Sequence, residues 1–199
     1  KLQALGTKIV FIKKDDIKTN YSEKRVLVIG AAGFMGSHLT ERLLECNAQV
    51  SVFVHNENLK NLNHIKGKLK NIIFGDISDE NATELIIKNL PQIIFHLAVM
   101  GYVPDSIKNP LQVNKTNLNG TLNVLESVRK LKNMNAGLER LVYISSCVIY
   151  GARNYPIKET EEFKPSTPYA ASKASADAYC YSYLKTFNLP IFVIVSIDS

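Results

Sequence analysis

The chain has 199 residues, 46% of them hydrophobic, and a formal net charge of +6, which suits one domain with a real core and leaves no apolar run near the ~20 residues of a membrane helix. Lys1–Asn20 lacks the apolar centre of a signal peptide, and the exposed-looking lysines Lys60, Lys66, Lys68 and Lys70 read as a solvated loop without the aromatic interleaving of a nucleic-acid stripe. Cys46, Cys147 and Cys180 form no Cys-x-x-Cys pair, and His38, His55, His64 and His96 have no ligand spacing, so a reduced, cytoplasmic setting and no metal site are expected.

Lys1–Lys24 stands apart as an extension, with Lys8–Ile12 a candidate edge strand and Lys13–Glu23 a charged linker; one domain is expected over residues 25–199. Val26–Ile29 reads as a strand and Ser37–Cys46 as a helix with apolar Leu39, Leu43 and Leu44. Gln49–Val54 is a strand, His55–Lys70 a polar segment, and Asn71–Phe74 a strand ending at Gly75-Asp76. Asn81–Asn89 is helical, Gln92–Leu97 a strand, and Leu111–Leu131 one long helix. Arg140–Ser145 is a strand, Tyr169–Phe187 a helix and Ile191–Ile197 a last strand. Near-continuous apolar strands alternating with helices predict a doubly wound α/β domain, its parallel sheet covered on both faces.

Three groups of residues carry chemistry. Between the first strand and the first helix, Gly30-x-x-Gly33-x-x-Gly36 is a tight turn whose backbone can approach a phosphate closely, at a helix end that offers free N–H groups. Such turns also serve as plain packing devices. Tyr169 and Lys173 are four residues apart and share a helix face. A free tyrosine, with a pKa of about 10, is a poor base at neutral pH, and a nearby ammonium group favours its phenolate. Tyr169 is thus a candidate for exchanging a proton with a substrate hydroxyl, although an isolated Tyr–Lys pair is as easily a surface feature. Ser145 and Ser146 end an apolar strand, where parallel sheets bind ligands. A serine there either contacts substrate or satisfies local backbone.

Together these residues resemble the extended short-chain dehydrogenase/reductase superfamily, most closely its NAD-dependent nucleotide-sugar epimerase/dehydratase branch. The resemblance runs from Lys24 to Ile194. In order it takes in the glycine turn, Gly75-Asp76-Ile77, His96-Leu97-Ala98, Asn117-Leu-Asn-Gly120-Thr121, Ser145-Ser146 before Ile149-Tyr150-Gly151, and Tyr169-x-x-x-Lys173. It implies a Rossmann fold, with Gly30, Gly33 and Gly36 at a dinucleotide pyrophosphate and Phe34 and Met35 at the helix start. Asp76 resembles the carboxylate on the adenine amino group, with Ile77 against the ring. Leu97 and Ala98 are similar to the lining beside the ribose, and Asn117 to the asparagine that props the active site. Ser146, Tyr169 and Lys173 match the catalytic triad, Lys173 also binding the nicotinamide ribose. The implied activity is NAD(P)-dependent epimerisation of a nucleotide-linked sugar through a transient keto intermediate. A homodimer through the two long helices is implied as well. A reductase or dehydratase of the same family, or a silent dinucleotide-binding module, are the alternatives. His96 is expected to be structural, and Cys147 is given no nucleophilic role.

Departures from the family refine these expectations. Many NAD-binding members carry an acidic residue at the end of the second strand, where this chain has Val54-His55-Asn56. NAD is expected as cofactor, but NADP is not excluded; Lys60 is a weak candidate partner for its extra phosphate. Dehydratases of the branch place Asp-Glu after the catalytic hydroxyl residue. Here Cys147-Val148 favours epimerisation or carbonyl reduction instead. Where the family continues into an Arg and an Asn, this chain has Val195 and Asp198 and stops at Ser199. The expectation is a truncated or frame-shifted product lacking most of its substrate domain, which sequencing the gene past the Ser199 codon tests.

Overall fold

The computed structural model describes residues 20–158 and 160–196. The candidate edge strand Lys8–Ile12, most of the linker and Asp198 lie outside them. Six parallel strands form one sheet in the order β3-β2-β1-β4-β5-β6: β1 (Arg25–Ile29), β2 (Gln49–Val54), β3 (Asn71–Phe74), β4 (Ile93–His96), β5 (Arg140–Ser146) and β6 (Ile191–Ser196). The order turns back between β1 and β4, which is the switch point where such sheets open a crevice at their C-terminal edge. The expected doubly wound fold is therefore present, with the predicted strands in place.

Alternation along the strands divides the core into two layers. Leu27 and Ile29 of β1 pack with Ile94, Leu141 and Tyr143 against α2 (Ala82–Ile87), α5 (Gly120–Asn133) and α6 (Pro168–Phe187). Val26 and Val28 face the other way, with Val50, Val52 and Phe95, towards α1 (Phe34–Glu45). That second layer also takes Leu59, Leu62 and Ile65. The segment His55–Lys70, expected as a polar segment, is thus a cover from which these three residues point inward, while its lysines Lys60, Lys66, Lys68 and Lys70 do not share that burial. At the sheet edge the expected double cover fails. Phe192 and Ile194, on one face of β6, are 57% and 51% exposed, because no described element packs over them.

The predicted long helix Leu111–Leu131 is three pieces: α4 (Pro110–Asn114), a π-turn over Lys115–Asn119, and α5. A further helix, α3 (Val103–Lys108), precedes them with proline in its first turn. The described part of the leading extension is packed on the domain: the Tyr21 ring lies 6.2 Å from Phe95, and Lys24 pairs with Glu139.

Candidate active site

Leu97 N donates to Ile29 O at 2.8 Å, and Gly30 N to Phe53 O at 3.0 Å, so β1, β2 and β4 end together. Above them lies a cleft of about 840 Å³. Gly30, Gly33, Phe34, Met35, Gly36, Asp76, Ile77, Leu97, Ala98, Tyr169 and Lys173 all line it. His55, Asn56 and Asn58, which follow β2, line it at the Asp76 end, and Ser145 at the Tyr169 end. Residues as far apart in sequence as Gly30 and Lys173 are brought to one crevice because their strands end at one edge.

The glycine turn is built by close approach. Gly30 has φ +88°, and a Cβ there would lie 2.6 Å from Ala98 N. A Cβ on Gly36 would lie 2.3 Å from Gly30 O. Gly33 differs: its nearest neighbour would be Gly30 O at 3.4 Å, so its open side faces the cleft. The first turn of α1 contains no acidic residue and its cap makes no side-chain hydrogen bond. The N–H groups of Phe34, Met35 and Gly36 have no acceptor within the helix. This bare positive end beside an unfilled space fits an anionic group such as a pyrophosphate. Farther along the cleft, burial opposes ionisation of Asp76, yet the Ser78 hydroxyl and N–H both donate to its Oδ1. With His55 and Lys115 nearby, these hold the carboxyl below its ordinary value.

At the other end, Tyr169 and Lys173 occupy the first turns of α6, capped by Thr167, whose hydroxyl accepts from Ala170 N at 3.1 Å. Tyr169 is 7% and Lys173 4% exposed. Lys173 Nζ donates to Ile144 O at 2.6 Å and lies 4.1 Å from the centre of the Tyr143 ring. Two sequence-selected residues are not on the wall. Asn117 is buried behind it: Oδ1 accepts from Met100 N at 2.8 Å, and Nδ2 donates to Ser172 Oγ at 2.9 Å. The π-turn aims this side chain inward, tying the β4 loop to α6. Ser146, 1% exposed, caps the 3₁₀ turn Cys147–Tyr150, accepting from Val148 N at 3.4 Å. It is its neighbour Ser145 that reaches the cleft.

His96 is 1% exposed. Thr121 donates its hydroxyl to Asn117 O at 2.6 Å, so at 3.0 Å it accepts from His96 Nε2–H. Burial, helped by the Lys173 charge, lowers the imidazole to about 3. The unfolded chain therefore binds a proton that the folded chain refuses, and stability is lost as pH falls below about 6.5. His96→Gln should remove that component. The stability advantage of the parent over the variant should shrink by about 2 kcal/mol between pH 7.5 and pH 5, as read from urea unfolding at the two pH values.

A sequence profile described as the NAD dependent epimerase/dehydratase family matches residues 26–196. The chain belongs to this family. Among family relatives, a dTDP-D-glucose 4,6-dehydratase of Dictyostelium discoideum is 31% identical over 189 residues, covering 85% of this chain and 42% of the relative. The crystal structure of UDP-glucose 4-epimerase from Brucella ovis in complex with NAD superimposes with a TM-score of 0.76 at 26% identity, covering 88% of this chain and 52% of that one. A UDP-glucose 4-epimerase from Thermotoga maritima with UDP-glucose gives 0.73 at 31% identity, covering 84% and 53%. The chain spans about half the length of the curated relatives it matches. Among the described residues no helix is long and apolar enough to cross a membrane, and no cluster of possible metal ligands is present.

Sequence reasoning placed His55 and Asn56 where family members hold the cofactor but gave them no role, and did not single out Asn58, Gln112 or Thr116 of the wall. For Asn58 a signal existed: it follows β2 closely, at the sheet edge that binds ligands.

Proposed function

We propose that the chain carries the cofactor cleft and proton-transfer groups of an NAD-dependent epimerase acting on a nucleotide-linked sugar. The observation that carries this reading is the convergence of the glycine turn, Asp76, Tyr169 and Lys173 on one cleft. The related structures in complex with NAD and with UDP-glucose support it. Bound NAD would supply a hydride acceptor and donor. The α1 N-terminus and Gly33 would hold the pyrophosphate, Asp76 and Ile77 the adenine, Leu97 and Ala98 the ribose side. Lys173 would hold the nicotinamide ribose and favour the phenolate of Tyr169, which would take the proton of a sugar hydroxyl and return it. Ser146, or Ser145 on the wall, would orient that hydroxyl, and Asn117 would keep the β4 loop against α6. Passage through a transient keto sugar and back leaves no net oxidation.

Dehydration is the second reading, since dehydratases are among the relatives. It needs an acid and a base beside the reacting carbon, and the Asp-Glu pair of the dehydratases is replaced here by Cys147 and Val148. We further place the protein in the cytoplasm, as Cys46, Cys147 and Cys180 are all free thiols. A homodimer would pair the α4–α5 and α6 helices, which carry the exposed apolar side chains Leu111, Tyr179 and Tyr181.

The test is incubation with UDP-glucose and dTDP-glucose, with chromatographic separation of sugar epimers and nicotinamide absorbance followed together. Interconversion without net absorbance change is expected. Stoichiometric consumption of cofactor would indicate a reductase, and no reaction with intact binding either a silent module or the need for the part of the longer relatives that this chain does not span. The absence of a carboxylate after β2 has its own consequence. NADPH should bind within about tenfold of NADH, a difference of about 1.4 kcal/mol, by fluorescence titration.

A further inference from the structure

Asp177 takes no part in the chemistry above, yet it lies against the reactive end of the cleft. It is 7% exposed and stands on α6 one turn beyond Lys173 and two beyond Tyr169. Its Oδ2 accepts the Ser145 hydroxyl at 2.8 Å. Its Oδ1 is buried without a hydrogen-bond partner. Lys173, meanwhile, holds Ile144 O. Successive turns of α6 thus grip successive residues of β5, one through the backbone and one through a side chain. Packing alone does not call for a charge here. An asparagine of the same shape could accept the same hydroxyl, whereas a buried carboxylate with an unsatisfied oxygen destabilises a fold.

We propose that Asp177 is a positioning residue: through Ser145 it sets the end of β5 against α6, and its charge keeps the Lys173 ammonium group poised at the cofactor cleft, a role that rests on the cofactor reading of Lys173. The groups facing it are Tyr143 and Ser145 of β5, Lys173 and Cys180 of α6, and Tyr150 and Tyr181 across a shallow outer hollow. Lys173 is the cation among them. Burial, against the Ser145 bond and the Lys173 charge, pushes the Asp177 carboxyl up to about 6. Protonation below that pH favours the folded state, because the folded chain binds the proton more tightly than the unfolded one. The same protonation removes the countercharge of Lys173. Stability and cofactor binding therefore respond to Asp177 with opposite signs, which a merely structural residue would not produce.

The experiment is a fluorescence titration with NADH from pH 5.5 to 8, with thermal midpoints, for the parent chain, Asp177→Asn and Ser145→Ala. The parent should lose affinity by about fivefold as pH falls through 6. Asp177→Asn should bind weakly at every pH, without that step, while its midpoint at pH 7.5 stays unchanged or rises. Ser145→Ala, which keeps the charge but breaks the bond to Asp177 Oδ2, should keep a step, moved to higher pH, on a lowered overall affinity. A flat parent profile overturns the proposal, as does an Asp177→Asn chain that retains the parent's affinity and step, or one whose affinity falls only together with its midpoint. A parent chain that binds no NADH at any pH instead refutes the cofactor reading itself.

Discussion

Replacing Tyr169 with phenylalanine should lower epimerisation by about 10²- to 10⁴-fold while NADH affinity stays within about threefold. The ring is 7% exposed at the base of α6, and phenylalanine keeps its volume, so neither the helix nor the cleft should collapse. What disappears is the phenol oxygen to which the proposed chemistry gives the proton transfer. Turnover is therefore lost without loss of the cofactor seat. Steady-state rates on the sugar nucleotide, set beside an NADH titration of the same preparation, separate the two. Equal rates for parent and variant would remove Tyr169 from the chemistry.

The second large effect distinguishes two glycines of a single turn. Gly36→Ala should destabilise the fold by about 3 kcal/mol, because its Cβ would meet Gly30 O at 2.3 Å and Ala31 Cα at 2.8 Å. These are backbone atoms tied into β1 and α1, and neither can step aside without moving the strand or the helix. Gly33→Ala should change stability by no more than about 0.5 kcal/mol, since its added methyl meets nothing closer than Gly30 O at 3.4 Å. That methyl would enter the space beside the free N–H groups of α1, so NADH affinity should fall by about tenfold, or about 1.4 kcal/mol. Chemical unfolding and NADH titration of both variants give a crossed pattern: one fails mainly as a fold, the other mainly as a receptor. Equal loss of stability in both would mean that the turn serves packing alone.

The framework was readable because it rests on local signals. Gln49–Val54 and Asn71–Phe74 are found at their expected bounds, as they are apolar runs closed by polar or glycine residues. The glycine turn and the Tyr169–Lys173 pair were readable for a similar reason, each being complete within a few residues. The missed features depend on distant partners. Nothing near Asp177 in sequence announces that it will meet Ser145, 32 positions away. A carboxylate on the buried face of a helix four residues after Lys173 was the available hint. The choice between Ser145 and Ser146 turns on which side of β5 each one leaves, and strand alternation sends neighbours to opposite faces. Helix α3 escaped notice because Ile107, one of its few apolar side chains, is 65% exposed, leaving little amphipathic pattern. The inward spacing of Leu59, Leu62 and Ile65 was visible, but the surrounding lysines and asparagines concealed it.

The π-turn over Lys115–Asn119 makes the number of residues in this stretch a constraint separate from their identity. One residue adds about 100° of rotation in a regular helix, so a single-codon deletion between α4 and α5 would yield smoother helical geometry and at the same time swing the Asn117 amide away from Met100 and Ser172. Substitutions at the other positions of the stretch can be absorbed one by one, whereas insertions and deletions shift the phase of everything before them. Evolutionary drift in this segment is therefore pinned in length as well as at Asn117.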